Sequence, residues 1–279
     1  MKEIKNIVID GFNDKPIVAD LHYLSTNSPK PIIVFCHGYK GFKDWGAWHL
    51  MANEFAKNKF LFIKFNFSHN GGTVSNPIDF PDLEAFGNNN YTKELDDLEA
   101  VINWICNHNE LKKEGNINNI SLMGHSRGGG IISIKAKEDL RIKNIISLAG
   151  VSDYKTRFPK NDDLEHWKNN DVYYVQNGRT KQQMPHYYQF YKNFIDNEER
   201  LTISSVIKQL KIPHLIIHGD ADTSVNVDEA YLQHKWNPRS QLFIVKDANH
   251  VFGISHPWKE KEMSKHLKEC VERVISFLK

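Results

Sequence analysis

Ser126 is the serine with the clearest chemical context, at the centre of Gly-His-Ser-Arg-Gly over residues 124–128. This spacing matches G-x-S-x-G, a pattern that places a serine at a sharp turn between a strand and a helix. Residues 119–123 before the motif are apolar enough for a short buried strand, and residues 131–136 after it can continue a helix. The context therefore predicts a nucleophile, and a glycine-rich turn with an incidental serine is the alternative.

Such a turn makes two demands on the backbone around Ser126. The serine needs a strained conformation with a positive φ, so that its Oγ stands clear of the backbone. A side chain two residues before or after it would collide with neighbouring backbone, and Gly124 and Gly128 remove those side chains. The first peptide N–H groups of the following helix would then point toward developing negative charge.

A serine nucleophile needs a general base to activate it, because a serine hydroxyl is a weak nucleophile at neutral pH. Among 14 histidines, His250 is favoured by its position directly after the last predicted strand. Asp222 lies in the loop after the preceding strand, which ends at His218. The order Ser126, Asp222, His250 is one of the known chain orders of a catalytic triad. The alternatives are a solvated loop histidine and an aspartate that caps a helix.

Three other aspartates compete with Asp222 for the role of orienting acid, and they are Asp153, Asp220 and Asp247. Asp222 is preferred because its spacing puts it past the turn at the strand end, with room to reach the histidine. Asp220 is expected to accept hydrogen bonds from loop backbone, as aspartates commonly do in turns.

The tetrahedral intermediate of acyl transfer also needs hydrogen-bond donors for its oxyanion. One predicted donor is the backbone N–H of Arg127, directly after the nucleophile. The other should come from the loop that follows the strand ending at Cys36, where His37-Gly38 lets the backbone turn closely beside the serine. We expect that donor to be the Tyr39 N–H, and we expect His37 to hold the loop by hydrogen bonds.

Alternating strands and helices would position these residues. Continuous apolar runs suit strands buried on both faces of a parallel sheet, and they cover residues 31–36, 60–67, 120–124, 142–149, 214–218 and 241–246. Helical spacing links two further sets, Leu95, Leu98, Ile102 and Ile105, and Leu267, Val271, Val274 and Leu278. Residues 3–10 and 16–24 resemble an antiparallel hairpin at one edge. The class is therefore α/β, with a doubly wound, mostly parallel sheet.

Two regions interrupt this alternation. Residues 68–90 are rich in Gly, Asn, Pro and Ser and predict a long loop at the ligand-binding edge of the sheet. Residues 151–211 exceed an ordinary connection and predict a cap inserted into a single domain that spans residues 1–279. The candidate substrate-binding side chains in this insertion are Tyr173, Tyr174 and Tyr187. Their alternative role is in the insertion's own small core.

Composition limits the other classes of function. The formal net charge of the 279 residues is +2, which gives no reason to expect nucleic acid or an anionic membrane as a partner. The start of the chain is charged, no run is apolar enough to span a bilayer, and the three cysteines are sparse, so we expect a cytoplasmic protein. Neither a metal-ligand motif nor a phosphate-binding loop is present, so no metal or cofactor is expected. The oligomeric state is not encoded in any pattern that we recognise.

Four motifs together resemble the α/β-hydrolase superfamily: residues 37–44, 124–129, 218–222 and 249–250. Within it, the chain is similar to bacterial cinnamoyl and feruloyl esterases, to dienelactone-hydrolase-like proteins and to prolyl-oligopeptidase-type peptidases. Those esterases often carry Gln where this chain has Arg127, and true dienelactone hydrolases use a cysteine where it has Ser126.

The resemblance implies the α/β-hydrolase fold and a serine esterase that needs no cofactor. The implied partner is a small-molecule carboxylic ester, with aromatic, cinnamoyl-type acyl groups as candidates. A serine peptidase of the prolyl-oligopeptidase type and an acyl thioesterase are the alternatives. A non-catalytic binding protein on the same scaffold ranks last.

Overall fold

An eight-stranded sheet forms the centre of the computed structural model, which describes residues 1–12, 14–26 and 28–279. The strand order across this sheet is β1-β2-β4-β3-β5-β6-β9-β10. Strand β2 runs antiparallel to both of its neighbours, and the remaining pairs are parallel. In chain order the strands are β1 (Lys2–Ile9), β2 (Ile17–Tyr23), β3 (Lys30–Cys36), β4 (Leu61–Asn66), β5 (Gly115–His125), β6 (Ile142–Leu148), β7 (Val172–Gln176), β8 (Gln183–Tyr187), β9 (His214–Gly219) and β10 (Gln241–Val245).

Helices cover both faces of this sheet, and the predicted doubly wound α/β class is confirmed. Within the part of the chain that the structure describes, no helix has the length and apolar character needed to cross a bilayer. The helices are α1 (Trp48–Lys57), α2 (Leu83–Gly87), α3 (Tyr91–Asn107), α4 (Asn109–Glu114), α5 (Arg127–Glu138), α6 (Asn161–Asn170), α7 (Gln189–Asp196), α8 (Glu198–Leu201), α9 (Ile203–Gln209), α10 (Asp228–Trp236) and α11 (Lys265–Leu278), and Lys155–Arg157 form a turn of 3₁₀ helix.

Each face of the sheet has its own apolar core. Alternate side chains of β3 point to opposite faces, so that Ile32 and Val34 enter one core while Ile33 and Phe35 enter the other. Helices α3 and α5 pack on the first core, and α1 and α11 pack on the second. The helical spacing seen in the sequence therefore marks real buried faces.

The long connection between β6 and β9 contains several elements of its own. These are the 3₁₀ turn, α6, a two-stranded hairpin of β7 and β8, and the helices α7, α8 and α9. The region predicted as a long loop, residues 68–90, also contains the short helix α2. Asp82 caps that helix by accepting a hydrogen bond from the Ala85 N–H at 2.9 Å, a local signal that the sequence interpretation missed.

A group of four charges, three of them buried, fixes the loop after β3 to the sheet. Asp20 on β2 and Lys64 on β4 are fully buried and form an ion pair. Lys43, in the loop, donates to Asp20 at 2.9 Å and to Asp44 at 2.6 Å, and Lys64 also contacts Asp44. Burial opposes ionisation of Asp44, yet Lys64 and Lys43 together hold its pKa well below its usual value.

The turn from β5 to α5 leaves no room for side chains. Ser126 has a φ of 56°, as the sequence motif predicts. A Cβ atom at Gly124 would lie 2.3 Å from the carbonyl oxygen of Gly128, and one at Gly128 would lie 2.5 Å from the carbonyl oxygen of Cys36. Both contacts are with backbone, so the neighbouring chain cannot swing aside.

We expect Gly128→Ala to destabilise the protein by about 3 kcal/mol or more, because the added methyl group meets the carbonyls of Cys36 and His37. In an unconstrained helix the same change would stabilise by about 1 kcal/mol. Urea unfolding measures the difference. Gly178→Ala is the matched control, since a Cβ at Gly178 has no neighbour within 4 Å. Equal stability of the two variants would contradict the close packing.

Lys64→Met tests whether the group of four charges stabilises the fold. The substitution preserves much of the side-chain volume but leaves Asp20 with one ammonium partner instead of two, so we expect a loss of about 3–5 kcal/mol in the free energy of unfolding. Lys57→Met serves as the control. Its exposed pair with Glu54 should contribute less than about 1 kcal/mol. A loss no larger than that of the control would show that the group does not stabilise the fold.

Candidate active site

Ser126, His250 and Asp222 form one hydrogen-bonded chain. Ser126 Oγ lies 3.0 Å from His250 Nε2, and His250 Nδ1 lies 2.8 Å from Asp222 Oδ2. A carboxylate only accepts hydrogen bonds, so Nδ1 carries the proton and Nε2 is free to accept from the serine hydroxyl. The structure thus brings together three residues that the sequence separates by up to 124 positions.

The sheet explains why these residues meet. Ser126 follows β5, Asp222 lies in the loop after β9, and His250 lies in the loop after β10. These strands are parallel, so their carboxyl ends lie at the same edge of the sheet.

The Asp222 carboxylate is held on both of its oxygens. Oδ1 accepts hydrogen bonds from the backbone N–H groups of Ser224 at 2.8 Å and Val225 at 2.9 Å. Oδ2, which faces His250, also lies 3.2 Å from Nε2 of the fully buried His218. Burial opposes ionisation, but these donors hold the pKa of Asp222 well below its usual value. It therefore stays an anion beside the imidazole.

His218 is a partner that the sequence interpretation did not identify. Its Nε2 also lies 2.9 Å from the Val225 carbonyl oxygen, so the N–H is shared between that carbonyl and the carboxylate of Asp222. Its only sequence signal is its place at the carboxyl end of β9, four residues before Asp222.

The competing aspartates have other roles in the structure. Asp220 Oδ1 accepts a hydrogen bond from the Asp247 N–H at 2.6 Å, as expected for an aspartate that fixes a loop. Asp153 accepts from the Thr156 N–H at 2.7 Å. The side chain of Asp247 is exposed to solvent. Asp222 alone among the four carboxylates has a hydrogen bond to His250 in the described residues.

The loop after β3 passes directly beside the serine. A Cβ atom at Gly38 would lie 2.8 Å from Ser126 Cβ, so only glycine allows this approach. His37 supports the loop from below, with Nδ1 2.9 Å from the Gly38 carbonyl and Nε2 accepting from the Phe67 N–H at 3.4 Å. Burial lowers the pKa of His37 to about 4, so its ring is neutral.

The amide groups of Tyr39 and Arg127 are the two predicted oxyanion donors, and both residues border the space in front of Ser126. Within the described ranges, neither N–H donates to an acceptor of the protein. Both donors are therefore open to a bound group.

His125 joins the turn at Ser126 to the loop that carries His250. Its Nε2 lies 2.9 Å from the backbone carbonyl oxygen of His250. Burial lowers the pKa of His125 to about 3, so the ring is neutral and donates this hydrogen bond. Its ring also packs against Trp48. This contact helps to fix the position of His250 relative to Ser126.

Two cavities meet at the serine. The larger has a volume of about 610 Å³, and the smaller has a volume of about 250 Å³. Tyr39, Ser126 and His250 border both of them. The larger cavity has many aromatic side chains in its wall, which include Tyr39, Tyr91, Tyr154, Phe158, Trp167, Tyr173, His186 and Phe190. Polar and indole side chains line the smaller cavity, namely Lys40, Trp45, Trp48, Asn177 and Arg179.

Of the three tyrosines predicted to bind substrate, the larger cavity contains Tyr173. Tyr174 is the next residue on β7 and points the opposite way, with 55% of its surface exposed. The hydroxyl of Tyr187 donates to the Glu84 carboxylate, and its ring packs on Gly87, away from the cavity. The expectation of three tyrosines in one pocket is corrected accordingly. The wall tyrosines that it missed are Tyr39, Tyr91 and Tyr154.

Across residues 1–12, 14–26 and 28–279, no group of three or more His, Cys, Asp or Glu side chains is arranged to hold a metal ion.

Comparison with solved structures places this architecture among known folds. A structure of Est1E from Butyrivibrio proteoclasticus with ferulic acid bound superposes with a TM-score of 0.73 at 17% identity, over 98% of this chain and 97% of that one. The esterase domain of a Rhodothermus marinus protein gives a TM-score of 0.66 at 14% identity, over 99% and 98% of the two chains. A dienelactone hydrolase from Anabaena variabilis gives 0.61 at 12% identity, over 99% and 95%.

Sequence comparison identifies the family. No curated protein matches the sequence. The sequence pattern of a family described as having the alpha/beta hydrolase fold matches residues 87–254, which is more than half of the chain. The resemblance predicted from four short motifs is therefore confirmed, and the chain belongs to the alpha/beta hydrolase fold family.

Proposed function

We propose that this protein is a serine hydrolase that cleaves carboxylic esters through an acyl-enzyme. The observation that carries the proposal is the hydrogen-bonded chain from Asp222 through His250 to Ser126, with distances of 2.8 Å and 3.0 Å. A nucleophile and a base within hydrogen-bond reach, with the base oriented by a third group, are the parts that covalent acyl transfer requires.

The reaction would proceed in two halves. His250 Nε2 takes the hydroxyl proton as Ser126 Oγ attacks the acyl carbon, and the same imidazolium then donates this proton to the departing alcohol. A water molecule next gives a proton to His250 and attacks the acyl-enzyme, which releases the acid and restores the serine. Asp222 remains ionised throughout and stabilises the imidazolium formed in each half.

The oxyanion of each tetrahedral intermediate would lie between the N–H groups of Tyr39 and Arg127. The glycine at position 38 supports this assignment, because it lets the loop approach the Ser126 side chain. Loss of one such donor typically costs about 3 kcal/mol of transition-state stabilisation. Neither amide donates to another acceptor in the described residues, so both N–H groups are free to donate to an oxyanion.

The two cavities suggest how an ester would be held. We assign the acyl group to the larger, aromatic cavity and the alcohol to the smaller one, since both open onto Ser126 and His250. In this proposal residues 1–279 are one domain, and residues 151–211 form a cap that supplies Trp167, Tyr173 and Phe190 to the acyl side. Aromatic acyl groups are candidates, and the ferulic acid bound by the structural neighbour Est1E supports them.

Ser126→Ala should reduce kcat/KM for a 4-nitrophenyl ester by about 10⁴-fold or more, because the nucleophile is lost. A fluorophosphonate probe should label the native protein and leave this variant unlabelled. Circular dichroism and the melting temperature verify that the variant is folded. Undiminished turnover by folded Ser126→Ala would refute the proposal. Acyl thioesters and aminoacyl amides assayed in parallel identify the preferred leaving group.

Asp222→Asn should lower kcat by about 10⁴-fold, because an amide at this position favours the wrong imidazole tautomer. Asp220→Asn is the matched control two residues away, where the carboxylate contacts only loop backbone. We expect the control to keep kcat within about tenfold of the native value. Similar losses in both variants would show that Asp222 acts through the loop structure rather than through His250.

A further inference from the structure

The side chain of Arg127 forms part of the wall of the larger cavity. Only 14% of this side chain is exposed. Its guanidinium carbon lies 4.6 Å from the ring centre of Tyr39, 5.3 Å from that of Tyr91 and 5.4 Å from that of Phe190. Stacking against three rings holds the planar group in one orientation, so the cavity has a fixed cation among its aromatic side chains.

Most of the hydrogen-bonding capacity of this cation is unused. A guanidinium group has five N–H donors. Among the described residues, the Glu94 carboxylate alone accepts a hydrogen bond from it, through a single contact of 3.2 Å between Arg127 Nη1 and Glu94 Oε1. A paired carboxylate of ideal geometry would accept two parallel bonds. Arg127 therefore retains donors for another acceptor.

Glu94 also compensates the positive charge of Arg127 only in part. Glu94 Oε1 also accepts from the Asn89 amide at 2.8 Å, and Glu94 Oε2 is buried without a hydrogen-bond donor in the described part of the chain. Burial raises the pKa of Glu94 even though Arg127 acts to lower it. Arg127 and Glu94 are therefore joined by one hydrogen bond, and burial disfavours the ionised form of the carboxylate partner.

The other ionisable side chains at this cavity are less suited than Arg127 to bind a buried anion. Arg157 pairs with Glu229, and it lies farther from the protein interior than Arg127. Asp163 is exposed at the rim, where solvent screens its charge. Burial lowers the pKa of His186 to about 4, so this ring is neutral. Arg127 is the buried cation that a bound acyl group would meet.

We infer that the larger cavity selects acyl groups that end in a carboxylate, with Arg127 as the residue that recognises it. This inference rests on the proposed ester hydrolysis. Moving a carboxylate from water into an aromatic cavity is costly unless a charged donor receives it. The open donors of Arg127 provide one, and a planar guanidinium suits a carboxylate better than a point charge would. The aromatic wall would hold the carbon chain between the ester and this terminal group.

The test compares esters that differ only at the end of the acyl group. One pair is the 4-nitrophenyl esters of 4-carboxycinnamic and 4-methylcinnamic acid, and a flexible pair is 4-nitrophenyl monoadipate and 4-nitrophenyl heptanoate. For at least one pair we expect kcat/KM to be about tenfold to a hundredfold higher for the carboxylate, as for a charge-assisted hydrogen bond. Because the two esters of a pair share a leaving group, their ratio cancels effects on the oxyanion donors.

Arg127→Met should reverse this ratio to below one, since the carboxylate would then be buried without a partner. Arg179→Met is the matched control, because Arg179 lines the smaller cavity and should leave the ratio unchanged. If Arg127→Met fails to fold because Glu94 loses its partner, the double variant Arg127→Met, Glu94→Gln removes both charges together.

Two results would overturn the inference. One is a native ratio at or below one in both pairs while the neutral esters are turned over well. The other is a carboxylate preference that survives Arg127→Met or the double variant, or that is lost in Arg179→Met instead. Failure of the proposed function is a separate result, in which neither ester of either pair depends on Ser126.

Discussion

The backbone contact between three chain segments around Ser126 determines the rest of this site. The carbonyls of Cys36 and Gly128 occupy the positions where side chains of Gly128 and Gly124 would lie. These contacts consequently fix the distances between the end of β3, the end of β5 and the start of α5. The serine, the loop beside it and the helix that follows cannot move independently. The strain at the serine, with its φ of 56°, persists because this packing over-determines it.

Electrostatics supplements this steric arrangement. The carboxylate that faces His250 has two backbone donors and a buried second imidazole, so its charge and direction are both fixed before substrate arrives. The four charges of Asp20, Lys43, Asp44 and Lys64 fix the loop that carries Tyr39. Two separate polar networks thus hold the two sides of the candidate active site.

The sequence predicted the parts of this site that depend on local chain order. The G-x-S-x-G motif identified Ser126, and the positions of Asp222 and His250 after later strands placed them at the same edge of a parallel sheet. Contacts between side chains of distant helices left no such signal. The pair of Arg127 and Glu94 depends on how α3 packs against α5, across 33 positions. The predictions for Tyr174 on β7 and Tyr187 on β8 were wrong because the sequence does not show which face of a short strand meets the cavity, and a shift of one residue reverses that face.

The contacts of Tyr39 limit how the inserted segment of this protein could change during evolution. Its backbone N–H is a proposed oxyanion donor, the residue borders both cavities, and its hydroxyl lies 2.9 Å from His186 on β8 of the inserted segment. A replacement of that segment by another sequence would therefore disturb the residue that carries this proposed donor as well as the shape of the pocket. The insertion is not a freely exchangeable module, and new specificities would have to be reached by substitutions that retain this one contact.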